Sequence, residues 1–295
     1  MRKLGTIIAV LAVCAFTAFL VNSAIAQQTD SPDALLLKAC RAGDLQLAAD
    51  SLAKGANPNL RATHEDRAPG LTPLMFAAMT NEALVRLLVE RGAGVNAIAD
   101  SGATPLLFAC KEGKIEIATY LIERGATVTN AERSVAWAAW RGYSTVVALL
   151  LRNGAPVDRP VKELGTPLQR AIEGGFVDMA RFLVSNGAKI NSTNEGGATH
   201  LQTAVRWGNL ETVTFLLAAG AEVNVRDGYG FTPLMYAASA NKPEAAGLLL
   251  DRGADAQVKN NRGQTAMDLT ARNRPNKEVI ELFVSRGLMK PPASK

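Results

Sequence analysis

One tripeptide, Thr-Pro-Leu, recurs along this chain at steps of one or two times about 33 residues. It stands at 72–74, 104–106, 166–168 and 232–234. A second mark, Gly-Ala, recurs with the same period, at 55–56, 92–93, 125–126, 154–155, 187–188, 220–221 and 253–254. Two independent marks with one period of about 33 residues predict an array of stacked supersecondary units, in which each unit covers the apolar face of its neighbour.

Each mark has a local physical cause. Thr can accept a hydrogen bond from a free backbone N–H, and the following Pro has no N–H to leave unpaired, so each Thr-Pro predicts the start of a helix. Residues that tolerate the left-handed conformation ending a helix follow, namely Gly at 113, 142, 175 and 208 and Asn at 81 and 241. An apolar stripe such as Val213, Leu216 and Leu217 then predicts a second short helix. The predicted unit is helix, helix and loop.

The two marks place eight units in the chain, starting near 34, 72, 104, 133, 166, 199, 232 and 265. We therefore predict a repeat domain over 34–288 and a flexible tail over 289–295. The fourth unit has Arg133 and Ser134 in place of Thr-Pro. It also follows an unusually short step, so we expect a local irregularity near 128–132.

The first residues have the composition of an export signal. A basic start, Met1–Lys3, precedes the uncharged apolar run Thr6–Val21 and the small-residue site Ala24–Ala26. We predict a signal peptide over 1–26, a short linker over 27–33 and a periplasmic location, with full secretion as an alternative. A further alternative is an uncleaved membrane anchor, although the apolar run is shorter than the roughly 20 residues that span a bilayer. Cys14 follows bulky Val13, so we assign it to the signal rather than to a lipid attachment site.

Charge and cysteine usage exclude several classes of function. Without Arg2 and Lys3, 30 of the 32 basic side chains remain against 27 acidic ones, a net charge of +3. This charge is too weak and too evenly spread to favour nucleic acid or membrane binding. Cys40 and Cys110 hold equivalent places two units apart, beyond the roughly 7 Å limit for a disulfide when helices pack about 8 to 10 Å apart. We expect both to be reduced, buried filler.

The pattern resembles the ankyrin repeat, whose signature is Thr-Pro-Leu-His-x-Ala followed by Gly-Ala-x-Val-Asn. Segments 92–96 and 220–224 match its second part closely, and the resemblance covers roughly residues 34–288. It implies an all-α fold, an α-solenoid of stacked helix-turn-helix repeats with projecting loops or hairpins. The signature His is replaced by Met75, Leu107, Ala136, Gln169, Gln202 and Met235. We therefore expect the contacts between repeats to be mainly apolar.

The sequence offers little for catalysis. Its two histidines are His64, in a loop, and His200, in the slot of a repeat proline, and neither forms a recognisable catalytic group with a cysteine. Metal-ligand spacings and phosphate-binding loops are absent, and the repeat period accounts for the glycines. We predict no catalytic residue, no cofactor and no metal, and hence no enzyme. The alternative is a small-molecule or redox enzyme that uses Cys40 or Cys110.

A binding surface remains. In the ankyrin-like architecture, the resemblance implies that residues just before Thr and just before the helix-ending Gly face the concave side. Those slots hold Trp140, Arg141, Arg206, Trp207, Tyr229, Phe231, Arg262 and Arg272. Aromatic and Arg side chains are over-represented among interface hot spots. Between them, Gly165 and Gly174, with Glu163 and Glu173, could form a groove floor. The alternative interpretation is that the rings only brace neighbouring helices and loops.

These observations predict a non-enzymatic interaction module or adaptor that binds an exported protein partner and is monomeric without it. The alternative is an inhibitor or immunity-type protein that covers the active site of an exported enzyme. The insertion at 62–69 is a second candidate contact, because loops that lengthen a repeat often carry function.

Overall fold

The computed structural model describes residues 31–63, 68–162, 164–207, 209–270 and 277–290. The predicted signal peptide, most of the linker and tail, His64, Glu163, Gly208 and Arg272 lie outside these ranges. The chain divides into two compact units, Met1–Gly102 and Ala103–Lys295. Each unit is an array of paired helices, so the expected all-α repeat fold is confirmed.

The first unit contains two described helix pairs. They are α1 (Pro32–Ala42) with α2 (Leu45–Ala53), and α3 (Pro73–Thr80) with α4 (Glu82–Glu90). Within each pair the helices pack on each other, and between pairs α1 packs on α3 and α2 on α4. The loop between the pairs is closed at its base by backbone hydrogen bonds from Ala62 N to Leu71 O and from Gly70 N to Ala62 O, both 2.8 Å.

The second unit contains six described pairs, built the same way. They are α5 (Pro105–Lys111) and α6 (Ile115–Glu123), α7 (Glu132–Trp140) and α8 (Ser144–Arg152), α9 (Pro167–Glu173) and α10 (Val177–Ser185), α11 (His200–Trp207) and α12 (Leu210–Ala218), α13 (Pro233–Ser239) and α14 (Pro243–Asp251), and α15 (Ala266–Leu269) and α16 (Lys277–Ser285). The first helices α5, α7, α9, α11, α13 and α15 pack in series, each on the next.

Most first helices of the second unit begin just after a Thr whose side chain caps the helix. The Thr104, Thr166 and Thr232 hydroxyls accept hydrogen bonds from the backbone N–H three residues on, at 3.2, 3.1 and 3.3 Å. A Pro follows each of these Thr residues in the first turn. Among the first helices of the second unit, α7 differs, because its N-cap is Ala131, which has no side-chain acceptor, and the helix starts at Glu132. The expected irregularity near 128–132 is therefore present.

The turn between paired helices is shaped by glycine and by a ring from the next repeat. Gly142 has φ +74°, and a Cβ there would lie 2.6 Å from the Phe176 ring. Gly113 has φ +69° and meets the Tyr143 ring in the same way. Asn241, at φ 51°, also takes the predicted left-handed conformation.

The prediction for Asn81 was wrong. Its backbone is extended, and its side chain caps α4 by accepting a hydrogen bond from Ala83 N at 2.9 Å. Asn81 therefore works as the N-cap of the second helix and does not end the first helix through a left-handed residue. The amide also donates to Gly43 O at 3.3 Å, which links the two helix pairs of the first unit.

Neighbouring repeats are joined by hydrogen bonds as well as by apolar packing. Asn191 donates to Gly220 O at 3.3 Å and accepts from Glu222 N at 3.0 Å. Asn224 bonds in the same way to Gly253 O and Asp255 N. A single amide thus pairs two backbone groups in the turn that follows the second helix of the next repeat.

Gln202, which stands in the slot of the signature His, also bridges repeats. Its Nε2 donates to Val225 O at 3.2 Å and to Phe231 O at 2.6 Å, while its Oε1 accepts from Thr199 N at 2.7 Å. The side chain is 1% exposed. The expectation of mainly apolar contacts between repeats was therefore wrong at this position.

Small and branched apolar residues fill the space between the helices. In the first helices the packed positions include Ala109, Ala138, Ala171 and Ala237, each 0% exposed, and small side chains let short helices approach closely. Among the described residues, none of the helices has the length and apolar character needed to cross a bilayer.

Substitutions at two glycines distinguish the cost of backbone strain from the cost of displacing a packed ring. We expect Gly154→Ala to cost about 1 to 2 kcal/mol, because φ is +88° but no atom lies within 4 Å of the new Cβ. Gly142→Ala should cost about 1 to 3 kcal/mol more, because the Phe176 ring must also move. Urea unfolding of both variants measures the difference, and equal costs would contradict the packing role of Phe176.

Candidate functional site

An apolar pocket lies between α7 and α9. It has a volume of about 60 Å³ and is bordered by Ala136, Trp137, Trp140, Leu164 and Arg170. The Trp137 and Trp140 ring centroids are 5.3 Å apart and the rings are nearly perpendicular. The Lys111 ammonium sits 4.8 Å from the centroid of the Trp137 ring. The pocket therefore offers two indole rings beneath a positive charge.

A polar pocket of about 170 Å³ lies next to it and shares Leu164 and Arg170. Gly165 borders this second pocket, at the place where we expected a groove floor. At Gly174, a Cβ would lie 2.7 Å from the Trp140 backbone oxygen, so this glycine permits close packing beneath α7 rather than lining a pocket. A side chain at Gly174 would therefore collide with the α7 backbone.

The charges in this region are largely paired. The Arg170 guanidinium forms an ion pair with Glu173, which also accepts a hydrogen bond from Gln169 Nε2 at 3.0 Å. The Arg170 Nε atom is buried and has no hydrogen-bond partner among the described residues. The polar pocket therefore has little free charge on its α9 side.

A third pocket, of about 370 Å³, lies between α11 and α13. It is bordered by Arg206, Tyr229, Phe231, Tyr236, Ser239 and Ala240. The Phe231 and Tyr236 ring centroids are 5.2 Å apart. The Arg206 guanidinium lies 4.8 Å from the centroid of the Trp207 ring and 5.8 Å from that of Tyr236. Three rings and one cation therefore meet at one opening.

A buried carboxylate fixes the walls of this third pocket. Asp227 Oδ1 accepts hydrogen bonds from Tyr229 N at 2.9 Å and Phe231 N at 2.8 Å. Asp227 Oδ2 accepts from the Tyr236 hydroxyl at 2.5 Å. Burial and the hydrogen bond to Asp227 raise the pKa of Tyr236 above its ordinary value. The Tyr236 hydroxyl is therefore held as a neutral donor.

Asn194 and Asn260 hold the equivalent place in the neighbouring turns. Each accepts two backbone hydrogen bonds at Oδ1, from Gly196 and Ala198 or from Arg262 and Gln264. The chain has Asp at 227, where a tyrosine hydroxyl also needs an acceptor, and Thr203 and Leu269 stand at the places equivalent to Tyr236. An aspartate therefore stands at the one of these three turns where a tyrosine hydroxyl donates to it.

The turns connect the second and third pockets. Gly228 N donates to Gly196 O at 3.0 Å, which joins the turn that borders the polar pocket to the turn that carries Tyr229. We call the surface formed by Trp137, Trp140, Arg206, Trp207, Tyr229, Phe231 and Tyr236 the aromatic face. Its residues lie on α7, α11 and α13 and in the turn before α13.

The structure places four of the predicted site residues at the borders of these pockets, namely Trp140, Arg206, Tyr229 and Phe231. Trp207 is exposed beside Arg206. Arg141 and Arg262 are also exposed, but within the described ranges they border none of the three pockets. Arg272 lies outside the described residues. The binding role of all eight stays a prediction.

Sequence reasoning missed Trp137, Arg170 and Tyr236. Trp137 and Tyr236 stand three residues before Trp140 and Ser239, so they lie on the same side of their helices. Reading both helical turns of each repeat would have found them.

His200, in the slot of a repeat proline, is buried and bonded on both ring nitrogens. Its Nδ1 lies 2.8 Å from Ile190 O and its Nε2 lies 2.8 Å from Thr166 Oγ1. A carbonyl oxygen can only accept, so Nδ1 carries the proton and Nε2 accepts from the hydroxyl. Burial lowers the pKa of His200. The neutral ring therefore acts as a link between two repeats.

The two described cysteines are inert in this fold. Cys40 and Cys110 are free and buried, as expected, and burial raises the pKa of each thiol to about 12. A thiolate is the reactive form, so neither position suits a nucleophile. Among the residues that the structure describes, no cluster of three or more His, Cys, Asp or Glu side chains is placed to hold a metal ion.

Comparison with known families decides the classification. The family model described as "Ankyrin repeats (3 copies)" matches residues 36–132 and 135–227, and "Ankyrin repeats (many copies)" matches residues 216–269. The chain belongs to the ankyrin repeat family. The resemblance read from Thr-Pro-Leu and Gly-Ala is thereby confirmed.

Several curated proteins are similar to part of this chain. Ankyrin repeat domain-containing protein 63 of Mus musculus is 35% identical over 120 residues, covering 36% of this chain and 30% of that protein. The Homo sapiens protein of the same name is 34% identical over 119 residues, covering 36% and 31%. E3 ubiquitin-protein ligase Ufd4 of Drosophila melanogaster is 32% identical over 118 residues, covering 39% and 4%. This chain therefore spans less than a third of the length of these three relatives.

The buried histidine predicts acid sensitivity. The folded chain keeps His200 neutral, while the unfolded chain binds a proton as pH falls through the ordinary value of 6.5. The free energy of unfolding should therefore decrease below that pH and level off only below the folded pKa. We expect His200→Gln to lower stability near neutral pH by about 1 to 3 kcal/mol, through lost hydrogen bonds, and to remove this part of the pH dependence.

Urea unfolding of both proteins at about pH 7.5 and about pH 5 checks this expectation. The native chain should lose more stability between the two pH values than His200→Gln. Equal losses would show that His200 does not titrate as its burial implies.

Thiol labelling tests the remaining enzyme hypothesis. In a Cys14→Ser chain, Cys40 and Cys110 should react with a disulfide reagent only after unfolding, because both are 0% exposed and their pKa is about 12. The same chain in denaturant gives the control rate for two accessible thiols. Fast labelling of the folded chain would reopen the redox hypothesis.

Proposed function

We propose that this chain is a non-enzymatic protein-binding module whose aromatic face contacts a protein partner. The observation that carries the proposal is the exposure of large rings at repeat positions that packing does not require. Trp140 is 39% exposed, Trp207 64% and Tyr229 73%. Exposed rings beside preformed pockets are typical of interface anchors.

Packing alone explains the burial of other rings in the same unit. Tyr120 is 2% exposed and Phe283 is 0% exposed. Phe176 is 39% exposed, but its ring packs against the glycine that ends α7, and Tyr143 covers the glycine that ends α5 in the same way. Trp207, in contrast, has most of its surface in solvent and its described ring contact is with Arg206. Its area is thus available to a partner at little cost to the fold.

The first residues support an exported partner. A basic start, an apolar run and a small-residue site are features of a signal peptide, and we propose that the protein acts in the periplasm. Isolation from that compartment of a partner that is an enzyme, and that loses activity when bound, would favour the inhibitor form of the proposal over an adaptor.

The tryptophans test the proposal. We expect the double variant Trp140→Ala and Trp207→Ala to weaken partner binding at least about tenfold, because such rings are common hot spots. The stability loss should stay near 1 kcal/mol, about the value of one aromatic pair. The partner is recovered by affinity purification from the exported fraction, and its Kd is measured by titration calorimetry.

A matched control removes two exposed apolar side chains elsewhere. Ile98 and Leu210 are 59% and 44% exposed and are not among the residues that form the aromatic face. The Ile98→Ala and Leu210→Ala chain should bind as the native chain does. A tryptophan variant that loses several kcal/mol of stability and binds normally would show that those rings brace the stack instead.

A further inference from the structure

We propose that the third pocket recognises an acidic segment of a protein partner, with a carboxylate on Arg206 and an adjacent apolar side chain among Tyr229, Phe231 and Tyr236. The inference rests on the proposed function and names the chemistry of the partner.

The charge of the pocket is carried by one residue. Of the described residues that border it, Arg206 alone is charged. Among the described residues Arg206 forms no ion pair, whereas Arg170 and Arg181 on neighbouring helices are paired with Glu173 and Glu211. Its guanidinium is exposed and keeps its N–H donors available for an acceptor from outside.

Asp227 holds the rings of the pocket and forms no ion pair with Arg206 among the described residues. Asp227 is 8% exposed, and its two oxygens already accept three hydrogen bonds from Tyr229 N, Phe231 N and the Tyr236 hydroxyl. Those hydrogen bonds hold the turn and the Tyr236 ring in place. The pocket therefore presents a positive charge to solvent and keeps the negative charge behind the wall.

The Arg206 guanidinium is held in one orientation before any ligand arrives. It stacks on Trp207 at 4.8 Å and faces Tyr236 at 5.8 Å, and stacking on a ring face leaves the edge of the guanidinium free for two parallel hydrogen bonds. Carboxylate is the protein group that matches this fork. A charged hydrogen bond formed by a preorganised donor loses little conformational freedom.

A second cation supports the same end of α11. Lys242 Nζ donates to Val205 O at 2.8 Å and to Arg206 O at 3.2 Å. It satisfies backbone carbonyls that the helix end leaves free, and it adds positive charge where the helix dipole is negative. An incoming carboxylate therefore meets less repulsion from the end of α11.

The extent of the surface favours a peptide over a small acid. A pocket of about 370 Å³ has the size of a small ligand site, which a side chain of a peptide can also occupy. Trp140 and the apolar pocket at Trp137 lie beyond the reach of a small molecule held on Arg206, because α7 and α11 are separated by α9. A polypeptide that continues along the first helices can cover them.

Selection from a displayed library of random peptides on the full chain tests the inference. We expect enriched peptides to combine Glu or Asp with an adjacent aromatic or aliphatic residue. For one such synthetic peptide, Arg206→Gln should weaken binding about tenfold, the value of one charged hydrogen-bonded contact. Arg252→Gln, an equal charge change on an exposed residue at the end of α14, should leave Kd unchanged.

A double-mutant cycle locates the contact. Replacing the peptide's carboxylate by the matching amide should cost about as much as Arg206→Gln, and the two changes together should cost little more than one alone. Additive losses would show that the carboxylate contacts another group and would overturn the inference. Arg206→Lys should recover only part of the affinity, because an ammonium lacks the planar fork.

The outcomes separate the two proposals. Enriched peptides without acidic residues, which bind Arg206→Gln as well as the native chain but not the tryptophan double variant, would overturn the acidic-segment inference and leave the proposed function standing. If no peptide prefers the native chain over the tryptophan variant, both are overturned. Binding of phenylacetate alone as tightly as the selected peptide would make the pocket a small-molecule site and overturn the peptide assignment.

Discussion

The whole structure depends on the need of each short helix for a neighbour. All eight second helices in the described residues have 9 residues, and most first helices have 7 to 9. Helices of this length are marginal in water, so their stability comes from covering one apolar stripe with the next repeat. Packing in series uses the inner sides of the helices and leaves the outer side of the first helices, together with the turns, available for function.

Aromatic residues follow this division of surfaces. The chain has three tryptophans, Trp137, Trp140 and Trp207, and all three lie on the first helices of the second unit. Alanine fills most of the tight contacts in those helices instead. The bulky rings therefore stand where the repeat does not need them for close packing, Trp137 and Trp140 at the apolar pocket and Trp207 beside the Arg206 guanidinium.

Much of the fold was predictable because its causes are local. Thr166 with Pro167, or Gly142 with its positive φ, sets a helix end through its own backbone preferences, and the period repeats those ends along the chain. Asn81 shows the limit, because the start of α4 follows its residue directly and the amide caps that helix instead of ending the previous one. The position of α4 therefore determines whether Asn81 ends one helix or caps the next.

The candidate site was only partly predictable, because its contacts join residues from different repeats. The slot pattern found Trp140, Arg206 and Tyr229 but could not show that Tyr236 donates to Asp227, or that Gln202 reaches Phe231 O. Those bonds depend on the reach of a side chain across a turn, which spacing alone does not give. The residues that border the pocket come from two repeats, so the pocket can be identified only in the folded structure.

Fluorine NMR of the chain labelled with fluorotryptophan, with and without a saturating unlabelled protein partner, tests the central claim most directly. Each of the three tryptophans gives one resonance, assigned by single replacement, and the partner contributes none. The account predicts that the Trp140 and Trp207 resonances shift or broaden on binding, since both rings pass from solvent into an interface. Unchanged resonances at both positions with the partner fully bound would show that the aromatic face is not the binding surface.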